Sequence, residues 1–181
     1  SRGMSGGDDA VMRLFFALWP DAATQQQWHD TLAPYVRPLG GRRVPAASLH
    51  LTLAFLGEVP GSQLNAILRL GDDLPADPVN LRFDRIESWK SAGLACLRPA
   101  QVPTTLSRLQ GQLMTGLQLA GFRTEGRAFR PHVTLSRQIV IPAESLPVWP
   151  VVEWQVPTIA LVRSELSPEG SHYHVVGAWP L

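Results

Sequence analysis

Cysteine occurs once in the 181 residues, at Cys96. A single thiol excludes an internal disulfide and any cysteine-based metal cluster, and it suits a reducing compartment. Lysine is equally scarce: of sixteen basic residues fifteen are arginine, and only Lys90 is lysine. Arginine offers a planar fork that matches phosphate oxygens, although codon usage alone can produce the same bias. No apolar run approaches eighteen residues, so no membrane span is expected. The polar start, SRGMSGGDDA, lacks the apolar segment of a signal peptide, and a cytoplasmic protein is expected. Residues 1–10 read as a tag remnant and a disordered N-terminus, with Ser1–Gly3 ahead of Met4 as the remnant. Charge of one sign is also missing. The formal net charge is +1, which leaves no global field to draw in nucleic acid.

What is present reads as one domain over residues 11–181, long enough to bury most of its apolar surface. The run 12–19, MRLFFALW, predicts a buried strand, and Pro20-Asp21 a helix start for 22–36. Residues 48–57 predict a strand closed by Gly57. A short helix follows, with Ser62 as its expected cap. Residues 79–90 alternate apolar and polar and pair with 92–99 as a hairpin. The pattern then recurs. A helix of about four turns fills 102–122, with Pro103 near its first turn and Gly121 at its end. A strand covers 129–141, a proline-rich loop 142–150, a strand 154–166 broken near its start by Pro157, and a last strand follows a tight turn. The order β-α-β-α-β, then β-α-β-loop-β-β, is a weak internal duplication. The expected fold class is α/β (α+β), with two pseudo-symmetric lobes whose antiparallel sheets enclose a central groove and whose helices lie outside.

Each half carries one short signature: LHLTLAFLG at 49–57 and FRPHVTLSR at 129–137. Strand side chains alternate faces. His50 and Thr52 therefore share one face, opposite Leu49, Leu51 and Leu53; His132 and Thr134 likewise oppose Val133 and Leu135. One such strand is ordinary. Two, with threonine at the same offset, point to paired imidazoles across a groove. One neutral histidine can take a proton while the other, charged, gives one. A phosphodiester between them would need donors for its oxygens, and the two threonine hydroxyls and nearby arginines supply them. Arg42 and Arg43 precede the first signature; Arg123, Arg127, Arg130 and Arg137 surround the second.

With RLFFALWPD at 13–21, HLTLAFLGEV at 50–59, FRPHVTLSR at 129–137 and SELSPEGSHYHVV at 164–176, the sequence resembles the 2H phosphoesterases. It is most similar to the bacterial RNA 2′,3′-cyclic phosphodiesterases, historically called 2′-5′ RNA ligases. The resemblance implies hydrolysis of a 2′,3′-cyclic phosphate at an RNA 3′ end to a 2′-phosphomonoester, without metal. It implies that His50 protonates the leaving 3′ oxygen, that His132 activates water, and that Thr52 and Thr134 hold the phosphate. It adds Arg137, the arginine after the second motif, and Phe55, at the matching position after the first, which would stack on a base. Arg137 lies five positions after His132, so a flat strand would turn it away from the site; a bulge near the strand end would bring it back. Arg130 has the right parity for phosphate without one.

The same residues allow other readings. The reaction run backwards is a 2′-5′ RNA ligase, and a catalytically idle RNA-end binder would not need a matched acid and base. A metallohydrolase would need more carboxylates near His50 and His132. His172 and His174 share a face of the last strand, but no third ligand is spaced with them, so no metal and no cofactor is expected. The expected partners are RNA 3′ ends with a 2′,3′-cyclic phosphate, whether tRNA fragments or nucleotides. Nothing in the sequence demands more than a monomer.

Overall fold

The computed structural model describes residues 10–181; the expected tail, 1–10, lies outside the described residues except for Ala10, whose carbonyl accepts from the Gly61 N–H at 2.9 Å. Strand β1 (Val11–Leu18) is buried from Leu14 onward, while Arg13, inside the expected buried run, is exposed. Leu14, Phe16 and Leu18 enter the main core, while Phe15 and Ala17 join Ala160 and Val162 in a smaller cluster on the other face. Asp21 caps helix α1 (Ala22–Val36) by accepting the Thr24 N–H at 2.7 Å. Short β2 (Arg42–Arg43) leads to β3 (Leu51–Pro60). Helix α2 (Leu64–Asp72) follows a 3₁₀ turn over Gly61–Gln63, and no side chain caps it. Ser62 lies inside that turn, so its expected capping role falls away.

Strands β4 (Asn80–Trp89) and β5 (Leu94–Pro99) form the expected hairpin. Helix α3 (Thr104–Leu119) buries Leu106, Leu109, Leu113 and Leu117 and ends at Gly121, φ +90°. Strand β6 (Val133–Arg137) is much shorter than the expected 129–141. Pro131 has no N–H to donate, Gln138 turns to φ 56°, and Ile139 and Val140 bond the carbonyls of Gly93 and Leu39 instead. The expected strand 154–166 is two strands, β7 (Val152–Gln155) and β8 (Thr158–Ser167), before β9 (Gly170–Pro180).

Among the described residues all pairings are antiparallel, in the order β7-β4-β5-β6-β3-β1-β8-β9, with β2 beside β6. The two expected halves are therefore arms of one nine-stranded sheet. They join through a single register pair, Leu51↔Val133. In a flat sheet β7 and β8 would stand about 29 Å apart. The link through Val156 and Pro157 spans only about 10 Å, so the sheet must be sharply bent. The helices cross over between arms: Trp28 of α1 packs on Phe83 and Trp154, and Gln110 of α3 donates to the Leu53 carbonyl at 3.4 Å. Leucine, valine and aromatic side chains from both arms share one core, which leaves the opposite face of the sheet open at the join.

Candidate active site

The join between arms sets the geometry. Leu51 and Val133 face each other into the core. Antiparallel register about that pair sets His50 opposite Thr134 and His132 opposite Thr52, all on the open face. The four expected site residues are thus brought together by one point of contact.

Both histidines precede the first hydrogen-bonded residue of their strand rather than lying within it. The ring contact is the same in each. The His50 Nδ1 lies 2.7 Å from the Ser48 carbonyl, and the His132 Nδ1 lies 2.8 Å from the Arg130 carbonyl. A carbonyl can only accept, so each Nδ1 carries the hydrogen and each neutral ring presents Nε2 as its basic nitrogen. The His50 Nε2 meets the Thr52 hydroxyl at 3.1 Å.

The two strands share a second feature. Residues 51–55 and 133–137 follow one burial sequence: buried, half-buried, buried, buried, exposed. In β3 the register to β1 skips Leu53, passing from Thr52 to Ala54. In β6 the register to β5 skips Leu135, passing from Thr134 to Ser136. Each bulge puts two consecutive side chains inside and restores the parity of the next residue. Phe55 and Arg137 consequently stand on the open face with the histidines and threonines. Phe55 is 58% exposed, with its ring 5.8 Å from that of Phe15. Arg137 is exposed, and its charge is close enough to His50 to disfavour protonation there. The Gly40-Gly41 turn presses on the end of β6: at Gly41, φ +78°, a Cβ would collide with the carbonyl oxygens of Arg137 and Gln138.

Around His50 the walls are aromatic. Trp19 stacks on it at 5.2 Å, and Phe15 and Tyr173 contact it at 5.1 and 5.3 Å. Burial in this box pushes His50 down to about 4, with the nearby charges of His132 and Arg137 adding to the effect and the Ser48 carbonyl opposing it. Around His132 the walls are mixed. Trp89 lies 4.2 Å away, ring to ring, and the Arg130 guanidinium stands 4.7 Å over the Trp89 ring. Burial again lowers the pKa of His132, opposed by the Arg130 carbonyl and reinforced by the guanidinium groups of Arg98 and Arg130. Arg130 is also ion-paired with Glu87 at 3.5 Å, so it has a carboxylate partner already. Cys96 stands beside Thr134 in register; burial pushes its thiol up to about 12, against a hydrogen bond from Thr134, which leaves it an inert neighbour at neutral pH.

Other sequence candidates lie elsewhere. Arg43 donates to the His29 carbonyl at 2.6 Å and Arg127 pairs with Glu125 at 3.8 Å. His174 pairs with Glu165 at 3.5 Å, and His172 meets the Ser167 hydroxyl at 3.0 Å. Sequence reasoning missed Tyr173, Trp19, Trp89, Glu87 and Arg98 as walls of the site. The runs RLFFALWPD and SHYHVV carried the first two, but only the pairing of β1 with β3 and β8 shows which ring each touches.

The bent sheet and its quartet of two imidazoles and two hydroxyls define a class: a two-histidine phosphoesterase. A family model described as "LigT like Phosphoesterase" matches the chain twice, over residues 18–94 and 97–173, which is the internal duplication seen from outside. The chain belongs to the LigT-like phosphoesterase family. An RNA 2′,3′-cyclic phosphodiesterase of Escherichia coli is 31% identical over 171 residues, 93% of this chain and 96% of that protein. One of Thermus thermophilus is 34% identical over 180 residues, 94% of this chain and 90% of that protein. The crystal structure of E. coli LigT complexed with 3′-AMP matches with a TM-score of 0.82 at 29% identity, over 94% of this chain and 98% of that one.

Proposed function

We propose that this chain hydrolyses 2′,3′-cyclic phosphates at RNA 3′ ends to 2′-phosphomonoesters by paired-histidine acid–base catalysis, without metal, as a single monomeric unit over residues 11–181. The observation that carries the reading is the near-twofold quartet. Two imidazoles with fixed Nδ1–H share one face with two hydroxyls about the Leu51↔Val133 pair. Neither half of that arrangement is needed to hold a β-strand together.

The proposed chemistry runs in line. His132 Nε2 takes a proton from water as its oxygen bonds to phosphorus. The bond from phosphorus to the 3′ oxygen breaks on the opposite side, and His50 gives that oxygen a proton. The two histidines end with each other's protonation state, which the departing product and solvent reset. Thr52, Thr134 and Arg137 donate to the phosphoryl oxygens, where charge builds. Phe55 offers its exposed ring to the terminal base. His50 must carry a proton for this role, yet burial keeps it neutral in the free protein. A phosphate anion between the imidazoles supplies the opposite charge that raises its pKa. Substrate thus loads the acid.

The test is incubation with an oligoribonucleotide ending in a 2′,3′-cyclic phosphate. A 2′-phosphate product is expected. A 3′-phosphate product, or an untouched substrate, overturns the reading.

A further inference from the structure

The polar network behind His132 is not used by the chemistry above, although every member of it bears on that ring. Glu87 on β4 faces Cys96 of β5 in register, on the same side of the sheet as Thr134. Its Oε1 is 3.5 Å from Nη1 of Arg98 and 3.5 Å from Nη2 of Arg130. Arg98 is 15% exposed, and its Nε donates to the Pro131 carbonyl at 3.2 Å. Arg130 supplies the carbonyl that holds His132 Nδ1; its guanidinium lies 4.7 Å from the centre of the Trp89 ring, which is itself 4.2 Å from the His132 ring. One carboxylate therefore gathers both arginines that fix the three residues leading to the imidazole.

We propose that Glu87 is a positioning residue for His132, tying Arg98 and Arg130 together so that residues 130–132 hold one geometry. The segment needs such a tie. Pro131 interrupts the backbone ladder just before β6, so side chains must do what strand pairing does elsewhere. The charged and titratable groups around His132 are Glu87 from β4, Arg98 and Cys96 from β5, Arg130 on its own segment, Arg137 at the end of β6, and His50 across the join. Two of these, Arg98 and Arg130, are cations that disfavour the charged imidazole. Glu87 is the anion that offsets them. It acts on geometry and on proton affinity through the same two contacts.

This inference rests on His132 being a working acid–base group, so its test reads the ring as well as turnover. The imidazole resonances of His50 and His132 are titrated by NMR in the wild-type protein, Glu87→Gln and Arg98→Met, with thermal unfolding as a check on folding. Glu87→Gln is expected to move the His132 titration to lower pH, Arg98→Met to move it to higher pH, and His50 to stay where it is in both. On a mononucleoside 2′,3′-cyclic phosphate, kcat of Glu87→Gln should fall about tenfold or more, as misplacement of a reacting group does, with a smaller change in KM. Glu87→Asp should restore part of it. A merely structural carboxylate would not move the His132 titration in opposite directions in the two variants. The proposal is overturned if His132 titrates alike in all three proteins, or if His50 shifts as much as His132. Should Glu87→Gln fail to fold, Arg98→Met alone decides by the same criterion. Opposite shifts in a protein that turns over no substrate would uphold the network and overturn the proposed function instead.

Discussion

The surroundings of His50 and His132 are built on one backbone plan and finished in two different materials. Both rings anchor Nδ1 on the carbonyl two residues back, both strands bulge at the third residue after the histidine, and both present an exposed side chain at the fifth. The walls then diverge. Three aromatic rings enclose His50, whereas one indole and a carboxylate-linked pair of arginines support His132. The backbone plan decides where each imidazole stands. The walls decide how readily it holds a proton.

The sharpest way to break this comparison is to remove one ring at a time. His50→Ala and His132→Ala should each lower kcat by about 10²–10⁴-fold, the range for a lost general acid or base. The double variant should be little worse than either single, because residues acting as a unit are non-additive. Near-wild-type turnover in one single variant would make that motif structural. The fifth-position pair comes next. Arg137→Ala should cost about 2–4 kcal/mol in kcat/KM, as for a lost oxyanion donor; unchanged kcat/KM would move the phosphate contact to Arg130. Phe55→Ala should cost less, about 1–3 kcal/mol, if it stacks on a base, and nothing with a substrate lacking one.

A further contrast concerns stability. Burial holds the folded-state pKa of His50 at about 4, below the ordinary value of 6.5. Above pH 6.5 the ring is neutral whether folded or unfolded. As pH falls from 6.5 towards 4 the unfolded chain takes the proton first, so stability is lost across that window, by about 2–3 kcal/mol. His50→Gln should lose that much less between about pH 7 and pH 4 in urea unfolding, and equal losses would put His50 in water rather than in an aromatic box. The smallest expected effect is none: EDTA should leave kcat unchanged. Activity abolished by chelation and restored by one added metal would replace both histidine roles.

Much of this comparison was legible in the sequence. His-x-Thr at matched offsets, flanked by leucine and valine, specified which face each side chain would take. The position of Arg137 suggested the bulge in β6; the matching bulge in β3, ahead of Phe55, was not read and shows only in the pairing register. Pro157 announced a break, but not that it separates strands at distant places in the sheet. The Glu87 network could not be read at all. Its members lie on three segments, and only the register of β4 with β5 brings Glu87 to the arginines. Ser62 shows the converse failure, a residue of the right type made idle by a 3₁₀ turn.

The bent sheet also has a history in time. The arm holding His132 is drawn from neighbouring stretches of chain: β4, β5, β6 and β7 all lie between residues 80 and 155. The arm holding His50 needs β1 to pair with β8, as in Leu14↔Arg163, and so waits until β4 to β7 have all been made. Closing that loop is slow, because its entropy must be given up before any contact forms. During synthesis the His132 arm can take shape first, while β1 and β3 stay exposed with an unpaired edge of Leu14, Phe15 and Phe16, the kind of surface that recruits chaperones or aggregates. The aromatic box is then the last part of the site to exist: Tyr173 joins Phe15 and Trp19 around His50 only after every strand of the His132 arm has been made.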